Sequence, residues 1–249
     1  MDFTDNELMR YSRHLLLPEI DAAGQEQLAA AKILIIGVGG LGSPVALYLA
    51  ASGIGEISIA DHDTVELNNL QRQIAHDEAA LGQDKVTSCY ERMQALNSDI
   101  SIKTIAAKLS GNLLAEQVAL ADIVVDCTDN LSTRFEINEA CVKHKKWLVS
   151  AAAIRWEGQI SVYHCGHLES PCYHCFYGGR KDSRQNCTSS GVVSPVVGVL
   201  GSMQAMEVIK LIINQGEVLM GRVLLFDALT MQWQSMQLNK NPQCSVCAP

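Results

Sequence analysis

Residues 32–42 of the chain read KILIIGVGGLG. The branched apolar run at 32–36 predicts a short buried strand, and the glycines that follow it predict a tight turn. An Ala- and Leu-rich stretch to about Ser52 then predicts a helix, so the GxGxxG pattern lies between a strand and a helix. Glycine lets the backbone approach a phosphate, and a helix N-terminus offers unpaired N–H groups to an anion. Residues 37–42 therefore predict a nucleotide site.

The rest of the chain extends this unit into a Rossmann-like, doubly wound α/β sheet. Four more apolar runs, separated by helical segments, predict parallel strands: residues 56–60, 100–105, 123–126 and 147–150. Shorter alternating segments predict antiparallel strands that extend the same sheet: residues 159–163, 222–226 and 232–238. One long helix is predicted between them, at 196–213.

We expect a single domain over residues 1–249, with residues 1–30 as an N-terminal helical extension. Thr4 can cap the first helix of this extension, and Glu7 can reach back to the cap. A domain boundary near residue 155, where the pattern changes to shorter segments, is the alternative.

Composition narrows the classes of protein. The chain has 249 residues, 48% of them apolar, and a formal net charge of −8, which suits an ordinary globular protein and argues against a nucleic-acid partner. We find no run of eighteen apolar residues, and the N-terminus is acidic where a signal peptide would be basic. The expectation is a cytoplasmic protein that does not enter a membrane.

Residues after the second strand bear on which nucleotide binds. Asp61 ends that strand, where a carboxylate can accept hydrogen bonds from ribose hydroxyls. The glycine pattern alone favours a dinucleotide, and hence an NAD-dependent oxidoreductase with a structural zinc. Residues 66–72, which read ELNNLQR, and Lys85 add amides and two cations, as displacement at the α-phosphate of a triphosphate requires. For Arg72 or Lys85 taken alone, a solvated surface charge is the alternative.

Asp129 follows the predicted strand 123–126, at the carboxyl edge of the sheet, where ligands of open α/β folds bind. A carboxylate there is a candidate Mg²⁺ ligand. The alternative is that Asp129 caps the helix predicted to begin near Leu131, and one side chain can do both.

The nine cysteines predict a metal site rather than disulfides, because a reducing cytoplasm keeps thiols free. Four of them form two CxxC pairs with the spacing of zinc knuckles: Cys172, Cys175, Cys244 and Cys247. Four thiolates predict a closed structural zinc site, and a redox-active CxxC is the alternative. Four others are predicted to be buried and inert: Cys89, Cys127, Cys141 and Cys165.

Cys187 is the candidate reactive cysteine. It lies in a polar segment rich in Ser and Gly, which favours an exposed thiol. Three nearby basic residues would stabilise its thiolate, unless they are ordinary loop charges: Arg180, Lys181 and Arg184.

The glycine motif, residues 69–73 (NLQRQ), residues 126–130 (DCTDN) and the paired CxxC motifs together resemble the MoeB/ThiF/HesA family over nearly the whole chain. The resemblance implies a homologue of ubiquitin-activating enzymes. Such an enzyme uses ATP and Mg²⁺ to adenylate the Gly-Gly C-terminus of a small ubiquitin-like sulfur carrier. The carrier would be MoaD-like, for molybdopterin synthesis, or alternatively ThiS-like, for thiamin synthesis. A nucleotide-regulated binding module, holding ATP without cleaving it, is a more distant alternative.

The same resemblance implies the site residues. The candidate ATP-binding residues are Gly37, Gly39, Gly40, Gly42, Asp61, Asn68, Asn69, Leu70, Gln71, Arg72, Lys85, Asp129 and Asn130. Those expected to act in catalysis are Arg13, Arg72, Lys85, Asp129 and Cys187.

Two of these residues carry further implications. By resemblance, Arg13 reaches the ATP site of a neighbouring subunit and implies a homodimer; an exposed arginine on an amphipathic helix is the alternative. Cys187 would link to the carrier in ThiF-like sulfur transfer, which MoeB-like adenylation does not require. No rhodanese-like segment follows Pro249, so a separate protein is expected to donate the sulfur.

Overall fold

The computed structural model describes residues 3–167, 170–178 and 190–248. Its strands are β1 Lys32–Ile36, β2 Glu56–Ala60, β3 Ser101–Ile105, β4 Ile123–Asp126, β5 Trp147–Ile154, β6 Glu157–His164, β7 Arg222–Asp227 and β8 Gln232–Gln237. The helices of this part of the chain are α1 Asp5–Arg10, α2 Ser12–Leu15, α3 Asp21–Ala30, α4 Gly42–Ala51, α5 Lys85–Leu96, α6 Gly111–Leu120, α7 Leu131–His144, α8 Tyr173–Tyr177 and α9 Ser194–Ile213.

All eight strands form one sheet in the order β3-β2-β1-β4-β5-β6-β7-β8. The first five strands in this order are parallel, and β5 to β8 pair antiparallel. The change of direction follows from the connections, since helices cross over between the parallel strands while a tight turn joins β5 to β6. The predicted fold class, a parallel sheet with an antiparallel extension, is confirmed.

Element bounds differ from the predictions mainly where small residues carry little signal. The strand predicted at 147–150 continues to Ile154, because residues 151–154 pair with β6. The helix predicted from Val196 begins at Ser194, with Pro195 in its first turn, where the missing N–H of proline costs no hydrogen bond.

The N-terminal segment is helical, as predicted. Thr4 Oγ1 accepts the Glu7 N–H, and the Glu7 carboxylate accepts the Thr4 N–H at 2.8 Å. This capping box satisfies two backbone donors at the start of α1.

The sheet is covered on both faces, which is why β1 is continuously apolar from residue 33 to residue 36 rather than alternating. Ile33 and Ile35 pack in a core with residues of α4 and α9, whereas Leu34 packs on the other face with residues of α6 and α7. Both faces are therefore occupied by packed helices, and the edge open to a ligand lies at the carboxyl ends of the parallel strands.

Within the described residues, α9 is the one helix long and apolar enough to cross a membrane, with a mean hydropathy of 1.7. Half of its most apolar window is buried inside the domain, where the helix packs against α4 and β5. The interior position accounts for the apolar sequence of α9.

Three of the four cysteines predicted to be inert are buried, namely Cys89, Cys127 and Cys141. Burial raises the pKa of the Cys89 thiol to about 12, so it carries no thiolate near neutral pH. The prediction was too strong for Cys165, which is partly exposed, although burial raises its pKa to about 12 as well.

Candidate nucleotide site and metal centre

A cavity of about 500 Å³ opens at the carboxyl ends of β1, β2 and β4. Its size is that of a small-molecule site. It brings together many of the candidate residues: Gly37, Gly39, Gly40, Asp61, Arg72, Lys85, Asp129 and Asn130. The remaining candidates in the described part of the chain lie off its walls: Arg13, Gly42, Asn68, Asn69, Leu70 and Gln71.

The glycine turn from β1 to α4 leaves no room for side chains at its two ends. Gly37 has φ +89°, and a Cβ there would lie 2.9 Å from the Cys127 carbonyl oxygen. A Cβ on Gly42 would lie 1.9 Å from the Gly37 carbonyl oxygen. The turn is therefore tight enough to aim the first turn of α4 at the cavity.

Asp61 directly follows β2 and holds this turn by hydrogen bonds. The Val38 N–H donates to Asp61 Oδ2 at 2.9 Å, and the Asp63 N–H donates to Asp61 Oδ1 at 3.0 Å. Each carboxylate oxygen keeps lone-pair capacity, so Asp61 can also accept hydrogen bonds from a ribose.

Lys85 is not a solvated surface charge, because its side chain is only 7% exposed. It stands at the start of α5, and its Nζ donates to Asp63 Oδ2 at 2.9 Å. Burial opposes ionisation of Asp63, but the hydrogen bond and the charge of Lys85 lower the pKa of that carboxyl. An ammonium at the cavity wall, held by one half-exposed carboxylate, can turn to a phosphate.

Arg72 is half-buried, and its Nη1 donates to the Asn68 carbonyl oxygen at 3.1 Å. The turn before it is held by Asn69, whose Oδ1 accepts the Glu66 N–H at 3.3 Å. The four residues Asn68, Asn69, Leu70 and Gln71 thus form the turn that carries Arg72 to the cavity, rather than part of the cavity wall.

Asn130, and not Asp129, caps α7. Its Oδ1 accepts the Thr133 N–H at 2.9 Å, so the alternative in which Asp129 caps the helix is wrong. Asp129 is exposed at the edge of the cavity, and its oxygens match the ligands that Mg²⁺ prefers.

A buried ion pair behind this edge was not predicted. Arg134 on α7 donates to the Thr128 carbonyl oxygen, and its Nε lies 3.9 Å from Asp126 Oδ2. Ser150 Oγ also donates to Asp126, at 2.8 Å. Burial disfavours the charge of Arg134, but Asp126 raises its pKa, so the guanidinium stays charged on the cavity wall. An acid ending a strand, with an arginine one turn into the next helix, is the signal that could have revealed this pair.

His76 was also missed. Its Nε2 lies 3.1 Å from the Val38 carbonyl oxygen, which can only accept, so Nε2 carries the proton. Its Nδ1 then accepts from Ser88 Oγ at 2.9 Å. Burial lowers the pKa of His76, and the neutral ring ties the glycine turn to α5.

The two CxxC pairs meet in one cluster. All four sulfurs lie within 4.8 Å of one another: Cys172, Cys175, Cys244 and Cys247. Three of the separations are 3.4, 3.8 and 3.9 Å. A tetrahedral Zn²⁺ with Zn–S bonds of about 2.3 Å separates its sulfurs by about 3.8 Å. The donor set therefore fits zinc, and it favours a closed four-thiolate site over two independent redox pairs.

Neighbouring residues support the cluster. Asn138 on α7 donates from Nδ2 to Cys172 Sγ at 3.6 Å, and its Oδ1 accepts the Tyr173 N–H at 2.8 Å. Burial alone would raise the pKa of Cys244, but N–H groups of Cys247 and Val246 and the ring of His174 lower it to about 6. A thiolate at this position is ready to bind a metal.

Two predictions cannot be placed in this cavity. Cys187 and its basic neighbours Arg180, Lys181 and Arg184 lie outside the described residues. Arg13 is exposed on α2 and does not line the cavity of its own chain.

A model of the ThiF family matches residues 11–246. The molybdopterin-synthase adenylyltransferase of Escherichia coli K12 is 42% identical over 246 residues, covering 99% of this chain and 98% of that protein. The sulfur carrier protein ThiS adenylyltransferase of the same strain is 43% identical over 243 residues, covering 98% and 96%. Each relative is thus similar to this chain over nearly its whole length.

Solved structures give the same fold. The crystal structure of E. coli MccB with ATP aligns with a TM-score of 0.82 at 29% identity, covering 96% of this chain and 74% of that one. A related MccB structure reaches a TM-score of 0.86 at 28% identity and covers this chain completely.

Proposed function

This chain belongs to the ThiF family and is an adenylyltransferase, and we propose that it adenylates the C-terminal Gly-Gly carboxylate of a ubiquitin-like sulfur carrier, using ATP. The observation that carries the proposal is the cavity itself, where a glycine turn, Asp61 and the buried Lys85 share one space with Asp129. Hydride transfer, as in an NAD-dependent oxidoreductase, requires neither the Lys85 cation nor a metal-binding carboxylate at Asp129. A binding module would not release pyrophosphate.

The favoured carrier is MoaD-like, which would place the enzyme in molybdopterin synthesis. A ThiS-like carrier is the alternative. The ThiS adenylyltransferase, at 43% identity, is about as similar to this chain as the molybdopterin-synthase enzyme, at 42%. The chemistry is the same for both carriers.

The reaction needs little proton transfer. A C-terminal carboxylate has a pKa of about 3.5 and is already a nucleophile at neutral pH. One of its oxygens bonds to the α-phosphorus, and the bond from that phosphorus to the bridging oxygen breaks. Pyrophosphate leaves with the electron pair, and the product is an acyl-adenylate. No histidine is required as a general base.

The catalytic task is to bring two anions together and to stabilise the leaving pyrophosphate. Arg72 and Lys85 supply cations for this purpose, and Arg134 adds a buried permanent charge to the same wall. Asp129 would hold Mg²⁺, which neutralises phosphate charge when bound. Asp61 accepts the ribose hydroxyls, and the glycine turn approaches the phosphates.

The proposed assembly rests on the family resemblance and uses Arg13, which is exposed and lies off the cavity of its own chain. We place residues 1–249 in a single adenylating domain that acts in the cytoplasm as a homodimer, in which Arg13 enters the partner's cavity. The four cysteines hold zinc for stability. Cys187 forms a covalent link to the carrier only if sulfur transfer is ThiF-like, and a separate protein donates the sulfur.

Carrier-dependent exchange of labelled pyrophosphate into ATP tests the proposal. MoaD-like and ThiS-like proteins ending in Gly-Gly are compared, with the Arg72→Ala variant as the test and Arg92→Ala, exposed on α5, as the charge-matched control. Exchange with one carrier that disappears in Arg72→Ala and persists in Arg92→Ala would identify the pathway. Absence of exchange with both carriers, in folded and zinc-loaded protein, would overturn the proposal.

A further inference from the structure

Two acids stand near the carboxyl end of β4, in different surroundings. Asp129 is exposed at the edge of the cavity, where the proposed function assigns it to Mg²⁺. Asp126, three residues earlier, is 1% exposed and does not line the cavity. Burying a carboxylate costs free energy unless its oxygens are paired. Asp126 can therefore affect a bound nucleotide only through its protein neighbours.

Both carboxylate oxygens of Asp126 hold the loop that leads to Asp129. Oδ1 accepts the Thr128 N–H at 3.0 Å and the Thr128 hydroxyl at 2.7 Å. Oδ2 accepts the Ser150 hydroxyl at 2.8 Å and faces the Arg134 guanidinium. Asp126 thus ties the residue immediately before Asp129 to β5 and to α7.

Arg134 holds the other side of Thr128. Its side chain on α7 is only 8% exposed, and its Nη2 donates to the Thr128 carbonyl oxygen. The N–H, the hydroxyl and the carbonyl oxygen of Thr128 are therefore all engaged with one buried ion pair. Because that carbonyl shares a planar peptide unit with the Asp129 nitrogen, the backbone that leads into Asp129 is already oriented.

The two ends of this loop are fixed as well. At its start, Gln204 Nε2 on α9 donates to the Asp126 carbonyl oxygen at 2.9 Å. At its end, Asn130 Oδ1 accepts the Thr133 N–H at 2.9 Å and caps α7. The exposed Asp129 side chain thus stands on a loop whose backbone is held on both sides.

A rigid mounting matters for the metal that Asp129 would bind. Mg²⁺ demands near-octahedral geometry, with oxygen ligands at about 2.0–2.1 Å, so it tolerates little displacement of a carboxylate. Side chains that orient a metal ligand are accordingly worth about 10- to 100-fold in metal affinity. A buried network behind a candidate Mg²⁺ ligand has the form that this chemistry requires.

On the basis of the proposed use of ATP, we infer that Asp126 and Ser150 are positioning residues, which orient the Asp129 carboxylate toward the Mg²⁺ of bound MgATP. Ser150 lies on β5, is buried and does not line the cavity. It acts through Asp126, and Asp126 acts through Thr128 and Arg134. Metal affinity in the cavity therefore depends on side chains that do not touch the nucleotide.

Ser150→Ala removes one support of Asp126 without changing a residue of the cavity wall. Ser161→Ala is the matched control, because Ser161 is buried and pairs directly with Ser150 between β5 and β6. Its Oγ donates to the Arg222 carbonyl oxygen, also at 2.8 Å. Each variant loses one buried hydroxyl and its hydrogen bond, so both should have a lower melting temperature. In Ser150→Ala alone the lost bond leads to Asp126.

The closing experiment measures metal binding rather than turnover. Zinc-loaded protein is saturated with α,β-methylene ATP, which cannot release pyrophosphate, and Mg²⁺ binding is followed by calorimetry without carrier. Binding of the same analogue without Mg²⁺ is measured separately. The two serine variants are compared with wild type, with Asp129→Ala and with the double variant that combines Asp129→Ala and Ser150→Ala.

We expect Ser150→Ala to weaken Mg²⁺ binding about tenfold and Ser161→Ala to leave it unchanged. Binding of the analogue without Mg²⁺ should be unchanged in both variants. In the Asp129→Ala background, Ser150→Ala should cause no further loss, because the carboxylate that it positions is absent.

Four results would overturn the inference. They are unchanged Mg²⁺ binding by Ser150→Ala, equal losses in the two serine variants, a loss from Ser150→Ala that persists without Asp129, and weaker binding of the metal-free analogue by Ser150→Ala. Failure of the proposed function is distinguishable from these results. In that case no carrier supports pyrophosphate exchange in wild type, while the expected pattern of Mg²⁺ binding is still obtained.

Discussion

The nucleotide cavity and the four-cysteine centre are built in opposite ways. The cavity takes its groups from turns that follow β1, β2 and β4, and several of them remain partly exposed. The cysteine centre brings together two distant segments, and its sulfurs already stand at metal-ligand separations from one another. The cavity is open to a charged ligand, whereas the cysteine centre is closed.

The two sites also differ in the partners that their polar groups hold when no ligand is bound. Lys85 and Arg72 hold provisional partners, Asp63 and the Asn68 carbonyl oxygen, which they can exchange for phosphate. The four cysteine sulfurs instead lie within 4.8 Å of one another, so loss of a metal would leave four thiols close together. Substitutions in the cavity should therefore change activity, and substitutions at the cysteines should change stability.

The largest effect is expected from Lys85→Met. It removes the cation that we propose stabilises the leaving pyrophosphate, so kcat of pyrophosphate exchange should fall about 10³-fold, or roughly 4 kcal/mol of activation free energy. The melting temperature should change little. The control is Lys103→Met on β3, which removes an exposed charge paired with Glu56 on β2. Equal losses of activity in both variants would show that net charge, and not position, is responsible.

The next largest effect is on stability. Cys244→Ser should abolish stoichiometric zinc and lower the free energy of unfolding by about 3 kcal/mol, because binding of a structural metal stabilises the fold. Exchange activity per folded molecule should persist. Zinc content by mass spectrometry and thermal melts would check this, with Ser245→Ala between the two ligands as the control. Loss of activity in folded Cys244→Ser would break the contrast between the two sites.

A smaller effect tests how sharply the two sites are separated. Helix α7 touches both, with Asn130 at the cavity and Asn138 on Cys172 Sγ. Asn138→Ala should weaken zinc binding about tenfold, measured as release to a chromophoric chelator. Asn112→Ala on the exposed start of α6 is the control. A fall in ATP affinity parallel to the fall in zinc affinity would show that α7 couples the two sites. The cavity and the cysteine centre would then be less independent than their geometry indicates.

The smallest effect is the pH dependence of the Asp63–Lys85 pair. The pKa of Asp63 is lowered in the folded state, so the pair's contribution is present above the unfolded pKa of about 3.9 and is lost as pH falls through the folded pKa. The Asp63 side chain is 53% exposed, which limits the contribution to a few tenths of a kcal/mol. Thermal melts between pH 6 and pH 3 should show the pH-dependent difference between wild type and Lys85→Met shrinking below pH 4. A constant difference would contradict the pairing.

Much of the fold was predictable because it depends on local patterns. The strand runs, the glycine turn and the capping box of Thr4 and Glu7 follow from periodicity and residue type. The extension of β5 to Ile154 was not predictable, because residues 151–153 are alanines that become a strand only by pairing with β6.

The site was predictable where a motif carries it, and the supporting residues were not. Asp129 and Asn130 are both good helix caps, and only the backbone geometry decides that Asn130 takes the role. Arg134, Asn138 and His76 read as ordinary polar residues in sequence. Their importance comes from burial and from partners on other elements, which a single sequence does not reveal.

The packing of the glycine turn has a consequence for how the motif tolerates substitution. A Cβ at Gly42 would overlap the Gly37 carbonyl oxygen, so alanine at that position would be eliminated by any selection for folded protein. At Gly39 a Cβ would stand 3.4 Å from Gln73, an ordinary contact that folding accepts but that fills the ligand's space. Two different selective pressures thus retain the glycines of one motif: folding at Gly42 and ligand binding at Gly39. A saturation library sorted first for folding and then for activity would separate the two pressures.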